Sequence, residues 1–290
     1  MRRDVAALLS RSKNPFFDHG EAEYFLAERD GAVVGRIAAI SNRLHNETHG
    51  DRVGFFGFFE CIDDQEVADA LFQAAPDWCR ARGHDLLRGP ASFSVNDECG
   101  LLVDGFDFPP ALMMPHNPRY YVHLVERGGF TKAKNLLVYQ GGREDVYVPV
   151  PERLARGTEQ FRPVVIPDFV PVAEKDGKII GFGIALPDLN VVFRKNRSGR
   201  LLPVLPRLVW ALKMRQIHRA RILLLGVIPE YRGKAIDAML YHWIWTRAEK
   251  LGFRWGEAGW ILEDNTAMNA GLEKMTFRVY KTYRLYDRAI

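Results

Sequence analysis

Cysteine and long apolar segments are scarce in this sequence of 290 residues. The three cysteines, Cys61, Cys79 and Cys99, are too few and too scattered for a disulfide framework, and none belongs to a CxxC pair. No apolar run approaches the roughly 20 residues of a membrane-spanning helix, and the first residues lack the apolar stretch of a signal peptide. We therefore expect reduced thiols and a cytoplasmic protein without a membrane span.

A large excess of one charge is also lacking. The chain has 40 Lys and Arg residues against 36 Asp and Glu residues, and its net charge of +4 is too small to indicate a nucleic-acid partner. With 47% hydrophobic and 26% charged residues, the composition excludes a disordered or fibrous chain. At about 100–200 residues per domain, the length predicts one large or two modest domains.

Two stretches in the two halves of the chain are similar in sequence. Residues 27–40 read AERDGAVVGRIAAI, and residues 173–186 read AEKDGKIIGFGIAL. Each contains an apolar segment, an Asp-Gly turn and a second apolar segment, which is typical of a β-hairpin because glycine tolerates the positive φ of such a turn. The repeat predicts one hairpin in each half.

The same series of elements follows each hairpin. An apolar strand, a helical pattern and a closing strand succeed one another at 53–60, 66–83 and 126–139, and again at 222–229, 235–252 and 273–286. Buried strands that alternate with helices predict an α/β fold with a mixed sheet. We interpret the chain as a duplication, and two generic α/β halves are the alternative.

One turn in the second half has the features of an anion-binding site. Residues 226–242 read GVIPEYRGKAIDAMLYH, so a buried strand leads into a turn with Arg232, Gly233 and Lys234, and a helix follows at once. A helix N-terminus exposes unpaired N–H groups and the positive end of its dipole, and glycine lets a ligand approach the main chain. The turn therefore predicts a cradle for a pyrophosphate.

This strand, turn and helix resemble the GNAT superfamily of acyl-CoA N-acyltransferases, whose signature is R-x-x-G-x-G/A. The match runs from Arg232 to Asp237, and a second GNAT-like element, an asparagine followed by a helix, runs from Asn265 to Phe277. Together with the repeat, the resemblance implies two GNAT-like domains in tandem, as in an uncharacterised bacterial group of tandem GNAT proteins.

The resemblance also sets the expected domain boundaries. We place the N-terminal domain at 1–141, a linker rich in Pro, Gly and charge at 142–168, and the C-terminal domain at 169–290. Few residues precede either hairpin, so both domains look shortened at their start.

In such a fold, acetyl-CoA or another acyl-CoA is the co-substrate, and its pantetheine arm lies between splayed fourth and fifth strands. The resemblance implies that the C-terminal domain holds it, through the strand end, the turn and the asparagine. The residues expected to bind it are Gly226, Val227, Ile228, Arg232, Gly233, Lys234, Ala235, Ile236, Asp237 and Asn265. No metal is expected.

The proton-transfer residues depart from the family's pattern. Ala235 and Asp237 occupy the signature positions of the two glycines, and Leu272 replaces a frequent general-acid tyrosine. Near the expected acyl site the sequence has six candidates, namely Glu257, Glu263, Asp264, Tyr280, Tyr283 and Tyr286. We select Glu263 as base and Tyr283 as acid, because a carboxylate can deprotonate an ammonium and a phenol can protonate a thiolate. A helix-cap carboxylate and a packing tyrosine are the alternative interpretation.

The first half lacks the cradle. Its corresponding turn contains Asp63, Asp64 and Glu66, whose carboxylates would repel a phosphate and suit the start of a helix. We therefore expect the N-terminal half to be structural, or to bind something other than CoA.

The leading hypothesis is an N-acyltransferase that moves an acyl group, in the simplest case acetyl, from acyl-CoA to a small-molecule amine. A non-catalytic GNAT-like protein that binds a metabolite or partner is the first alternative, and a Fem-like aminoacyl-tRNA-dependent transferase is the second. The segment 194–221, with nine Lys or Arg and no Asp or Glu, prompts the latter. Its amphipathic part, 205–218, also fits a solvated basic helix, phosphate contacts or anionic lipid.

Two polar groups elsewhere favour simpler interpretations. Cys99 beside Glu98 resembles a nucleophile, but neighbouring carboxylates raise a thiol pKa. His45 and His49 lack a third ligand of known spacing, so we expect a hairpin loop there and not a metal site.

Overall fold

The structure, a computed structural model, divides the described part of the chain into two compact units. Unit 1 comprises residues up to 136 together with 281–290, and unit 2 comprises residues within 137–280. The described residues are 2–94, 97–142, 166–194, 196, 204–214 and 216–290. Most of the predicted linker, 143–165, lies outside them, as do Lys195, Arg197, Arg200 and Arg215 of the basic segment.

The secondary structure is that of a mixed α/β protein. The helices are α1 (Arg2–Leu8), α2 (Arg43–His49), α3 (Gln65–Arg80), α4 (Tyr120–Arg127), α5 (Asn190–Phe193), α6 (Leu205–Lys213), α7 (Ile236–Lys250) and α8 (Thr266–Lys274). The strands are β1 (Gly20–Arg29), β2 (Ala32–Asn42), β3 (Val53–Cys61), β4 (Leu86–Gly89), β5 (Leu101–Asp104), β6 (Thr131–Gly142), β7 (Val172–Lys175), β8 (Lys178–Pro187), β9 (Arg219–Val227), β10 (Trp255–Leu262) and β11 (Arg278–Ala289).

Unit 1 is built on a mixed sheet. Its strands run in the order β1-β2-β3-β4-β11-β6, and β5 pairs with β11. The β1–β2 hairpin turns at Asp30 and Gly31, whose φ angles of 52° and 77° are those of the Asp-Gly hairpin turn that the sequence predicts. β3 and β4 are parallel, and the helix between them, α3, packs on the sheet through buried Leu71 and Phe72.

Unit 2 repeats this arrangement with strands in the order β6-β10-β9-β8-β7. The β7–β8 hairpin turns at Asp176 and Gly177, with φ angles of 51° and 74°. β9 and β10 are parallel, and α7 between them packs on the sheet through the buried side chains of Leu240 and Ile244. The predicted hairpins and helices are therefore confirmed in both halves. The strand predicted to be buried at 222–229 is only partly so, because no residue of β9 from Ile222 to Val227 is fully buried and Leu224 is exposed.

The position of the last strand differs from the predicted boundaries. Residues 281–290 belong to unit 1, where β11 pairs with β4 from Tyr286 to Ala289 and a two-bond ion pair joins Arg88 to Asp287. Tyr286 lies in the core of unit 1 and is 1% exposed. Unit 2 therefore differs from the C-terminal domain predicted at 169–290: it ends at Tyr280, within β11, and it includes residues 137–142 of β6.

The segment around the two histidines is a helix and not the expected hairpin loop. Asn42 caps α2 by accepting a hydrogen bond from the backbone N–H of His45, and Gly50 ends it with a φ of 67°. This asparagine cap followed by a glycine is a local helix signal, and it explains why the chain leaves the sheet here.

Candidate functional site

The central feature of unit 2 is a gap between two parallel strands. β9 and β10 pair along four residues of each, from Arg219 opposite Trp255 to Ile222 opposite Ala258. β9 continues to Val227 and β10 to Leu262, but these two described strands form no further pairs. Beyond these pairs the facing edges of the two strands are not paired with each other, and the carbonyl of Gly259 instead accepts a hydrogen bond from Arg221.

The turn after β9 lies at the open end of this gap. Pro229–Tyr231 form a short 3-10 turn, and α7 begins at Ile236. Gly233 has a φ of 72° and Ala235 a φ of 59°, so both adopt the left-handed conformation. Arg232 folds back, and its Nε donates to the carbonyl of Val227 at 3.3 Å. The guanidinium is therefore held beside the strand end.

Most of the predicted cofactor residues surround one cavity. It has a volume of about 360 Å³, and its lining includes six of them: Gly226, Val227, Arg232, Gly233, Asp237 and Asn265. The other four, Ile228, Lys234, Ala235 and Ile236, lie in the same turn and helix start without lining the cavity. The structure thus brings together the strand end, the turn and the asparagine that follows β10.

A second cavity adjoins the first and is more apolar. It has a volume of about 340 Å³, lies between α7 and α8, and shares Asp237 and Met268 with its neighbour. Tyr241 lines it and donates its hydroxyl hydrogen to Sδ of Met268 at 3.2 Å. Burial, together with the charge of Asp237, raises the pKa of Tyr241, so this phenol stays protonated.

A buried charged cluster lies where the two strands begin to separate. Arg221 and Glu257 face each other in the strand register, with 3.2 Å between Nε and Oε1, and both side chains are at most 3% exposed. Tyr280 donates its hydroxyl to Glu257, and Nη2 of Arg221 donates to the carbonyl of Gly259 at 3.0 Å. The cluster ties β9, β10 and β11 together and fixes the point of separation.

The two predicted catalytic residues lie in different units. Glu263 is half-buried and follows β10 directly, in unit 2, but it does not line the cavity formed by the described residues. Tyr283 is in unit 1, is fully buried, and its hydroxyl donates to the carbonyl of Pro115 at 2.9 Å. The phenol of Tyr283 therefore has a hydrogen-bond partner within unit 1.

Leu272 and Asn265 also have structural roles. Leu272, at the position of the frequent general-acid tyrosine, is fully buried in a cluster with Tyr139 and Phe277. Asn265 is exposed and caps α8 by accepting from the backbone N–H of Met268 at 3.3 Å. Position 272 therefore contributes to packing, whereas Asn265 borders the cavity from the helix start.

The acidic turn of unit 1 is a helix start. Asp64 caps α3 by accepting from the backbone N–H groups of Glu66 and Val67, and it forms an ion pair with Arg29 at 2.7 Å. Its carboxylate therefore occupies the N–H groups that an anion would need. This agrees with a first half that lacks a phosphate cradle.

The cysteines are buried thiols. Burial is the main cause that raises the pKa of Cys99 to about 12 and that of Cys61 to about 11, so neither forms a thiolate near neutral pH. Among the described residues, no group of three or more His, Cys, Asp or Glu side chains is placed to hold a metal ion. None of the described helices is long and apolar enough to cross a membrane.

Sequence reasoning missed an apolar strip beside the gap. Phe182 on β8 lies opposite Gly226 on β9, and both Phe182 and Leu224 are exposed. Leu225 and Val227 of β9 pack against the core cluster under α7. Because side chains alternate along a strand, Leu224 and Gly226 point to the other face of the sheet. The sequence does contain a signal for this strip: β9 is apolar on both faces, whereas a strand that is covered by a helix on one side needs only one apolar face.

Comparison with known proteins identifies relatives of the whole chain. No family model matches the chain. It is 33% identical over 336 aligned positions to the bacterial ceramide synthase of Caulobacter vibrioides, covering 97% of this chain and 87% of that protein. It is 31% identical to protein YghO of Escherichia coli K12, covering 96% of this chain and 85% of that protein. The first alignment has more positions than this chain has residues, so the relative carries insertions.

Solved structures show the fold. A GCN5-related N-acetyltransferase from Sphaerobacter thermophilus superposes with a TM-score of 0.52 at 12% identity, covering 92% of this chain and 80% of that one. The mixed sheet with its separated parallel strands is thus the GNAT fold. With more than 30% identity along almost its whole length, the chain belongs to the protein family that contains the bacterial ceramide synthase of Caulobacter vibrioides and protein YghO.

Proposed function

We propose that the protein is an N-acyltransferase that joins the acyl group of an acyl-CoA to the amino group of a long-chain amine. The observation that carries this proposal is the gap between β9 and β10, with six predicted cradle residues around one cavity at its open end. The name of the relative supplies the acceptor class, because a ceramide is the amide of a fatty acid and a long-chain amino alcohol.

The residues of the cavity suit the parts of a CoA molecule. The pantetheine arm is an extended chain with amide groups, and it can pair with the separated edges of β9 and β10 as a strand would. The backbone N–H groups at the start of α7 and the guanidinium of Arg232 can hold a pyrophosphate. Asp237 is an unfavourable neighbour, because its carboxylate borders the same cavity.

The reaction needs positioning more than a dedicated acid. The neutral amine attacks the thioester carbonyl carbon, a C–N bond forms, and the C–S bond breaks as CoA leaves as a thiolate. Backbone N–H groups of the strand edges can stabilise the oxyanion, and the arrangement of both substrates in one gap supplies the proximity. We propose Glu263 as the group that takes a proton from the ammonium form of the acceptor, directly or through water, and so produces the neutral amine that attacks. The proton that the nitrogen loses after attack passes to the leaving thiolate.

The apolar surroundings of the gap support an acceptor or donor with a hydrocarbon chain. Phe182 and Leu224 are exposed beside the unpaired part of β9, and Gly226 leaves the ring of Phe182 uncovered. Burial of one such side chain against an alkyl chain contributes about 1.5–3 kcal/mol of binding free energy. A short acetyl group is too small to bury these side chains. We therefore propose a fatty-acyl donor in preference to acetyl-CoA.

The binding step is tested by thermal unfolding with and without CoA. Ligand at about 100 times its dissociation constant stabilises a fold by about 2.7 kcal/mol, so a clear rise in Tm is expected. Gly233→Glu places a carboxylate in the cradle and should abolish the rise. Gly252→Glu is the matched control, because Gly252 also has a positive φ (86°) and no neighbour within 4 Å, but lies after the far end of α7.

The chemical step is tested by mass spectrometry of the products from palmitoyl-CoA or acetyl-CoA with sphinganine. Amide formation that is faster with palmitoyl-CoA and lost in Gly233→Glu is the expected result. CoA binding without product over a panel of amines would instead favour a non-catalytic GNAT-like binding protein. Absence of any Tm shift up to millimolar CoA would contradict the proposal at the binding step.

A further inference from the structure

Helix α6 presents large apolar side chains to solvent. Leu205, Val209, Trp210 and Met214, the residue just after the helix, are 43%, 44%, 54% and 60% exposed. Successive residues of a helix are 100° apart, so these four cover one half of the helix circumference. We call them the outer face of α6.

The opposite side of the same helix is already buried. Val204, Leu208 and Ala211 are at most 8% exposed, and α6 lies against α5. A helix that packs on a domain through one apolar stripe normally has polar side chains on the other side. The outer face of α6 therefore contains more apolar surface than packing of unit 2 requires.

The charge around α6 is of one sign. Residues 194–221 contain nine Lys or Arg and no Asp or Glu, and within the described part both Arg194 and Arg207 are exposed. At the end of the segment, Arg219 faces the buried carboxylate of Asp188 at 3.5 Å. Arg207 lies in the first turn of α6, so it brings an exposed positive charge to the helix that carries the outer face.

We propose that the outer face of α6 docks on the surface of an anionic lipid bilayer. Tryptophan together with aliphatic residues suits the boundary between headgroups and acyl chains, and lysine and arginine beside them attract anionic headgroups. The headgroup region of an anionic bilayer is a more favourable environment than water for an exposed tryptophan on a helix that has no acidic residue. The inference goes beyond the proposed function, since it concerns where the protein meets lipid and not which bond it forms.

The experiment is flotation of the full-length protein with vesicles of phosphatidylcholine alone or mixed with phosphatidylglycerol. Binding is expected to the mixed vesicles and to weaken at high salt. Trp210→Glu and Val209→Glu should each lower the partition coefficient by about tenfold or more, because burial of such a side chain contributes more than a factor of ten. Both positions are exposed, and circular dichroism checks that each variant is folded.

Leu26→Glu is the matched control. Leu26 is 61% exposed on β1 in unit 1, so the substitution makes the same charge change on another apolar surface residue and should leave binding unchanged. The proposal is overturned if the wild-type protein does not float with the mixed vesicles, or if the α6 variants float as well as Leu26→Glu. It is also overturned if sedimentation shows a dimer that Trp210→Glu dissociates, because a second copy would then cover the face. Acylation of a detergent-dissolved amine measures the proposed function separately.

Discussion

Ala235 replaces a glycine of the GNAT signature, and we expect this replacement to lower the free energy of unfolding. It occupies a glycine position of the GNAT signature, and its φ of 59° is one that an L-residue adopts at a cost of roughly 1–2 kcal/mol. Ala235→Gly should raise the free energy of unfolding by about 0.5–1 kcal/mol, since glycine's greater chain entropy offsets part of the gain. Urea denaturation without ligand measures the change.

A second alanine in the same helix provides the control for this prediction. Ala238 lies within α7, where glycine costs about 1 kcal/mol, so Ala238→Gly should change stability in the opposite direction. If both variants are destabilised to the same extent, the left-handed conformation at position 235 is not the cause.

The Arg221–Glu257 pair gives a second prediction at this scale. Both side chains are buried, and removal of one partner of a buried ion pair costs about 3–5 kcal/mol. Glu257→Gln should therefore lower the urea midpoint strongly. Glu21→Gln is the comparison, because Glu21 pairs with Arg82 at the surface and is 68% exposed, where such a pair is worth less than about 1 kcal/mol. Equal effects of the two substitutions would contradict the burial argument.

Individual site residues could be predicted where a local pattern fixes them. The signature from Arg232 to Asp237 places its backbone by its own turn and helix start, and the structure forms that turn. Tyr283 could not be placed in this way, because its environment depends on which sheet β11 joins. The left-handed φ of Ala235 was equally inaccessible, since a sequence position names a side chain and not its backbone angles.

At the scale of elements, the start of α3 depends on the charge of one carboxylate. The hydrogen bond from Arg29, with the backbone N–H groups of α3, lowers the pKa of Asp64 below its ordinary value of 3.8. Its stabilising contribution is therefore present above about pH 4 and is lost as the pH falls through the lowered pKa of the folded state.

This gives a prediction for the pH dependence of Tm. Asp64→Asn retains a good capping residue but has no charge to titrate. Its Tm should be lower than that of the wild-type protein at pH 7, and the difference should shrink as the pH falls below 4. A difference that stays constant from pH 7 to pH 3 would show that the charge of Asp64 does not contribute.

Helices, strands and hairpins were the most predictable level of the structure. The Asp-Gly pairs at 30–31 and 176–177 fix both hairpins because both turn residues need a positive φ. Helix α2 was missed because its seven residues carry no buried side chain and hence no apolar periodicity. Its only signals were Asn42 and Gly50, one at each end.

At the scale of the whole molecule, the last ten residues decide whether unit 1 is complete. A fragment of residues 1–141, the predicted N-terminal domain, lacks the strand that pairs with β4 and the buried Tyr286. We expect this fragment to show no cooperative thermal transition, and a peptide of residues 278–290 to restore one. A scrambled peptide is the control, and a cooperative transition of the fragment alone would contradict the expectation.

The difference between the predicted domain boundaries and the two compact units has the same origin. A duplication suggests that each half closes its own sheet. The two closing strands are 131–142 and 278–289, and neither sequence indicates which strands it pairs with. Strand pairing is decided by contacts between residues far apart in the chain, such as Arg88 and Asp287. No local pattern reports such contacts.

The placement of β11 bears on how the protein is made. Ribosomes add about 5–20 residues per second, and N-terminal domains generally fold while the rest of the chain is still being synthesised. Here the core around Phe56 and Phe72 is incomplete until Tyr286 has been synthesised, long after both phenylalanines. A stop codon before Tyr286 would therefore damage the first half of the protein, although that half had already been synthesised.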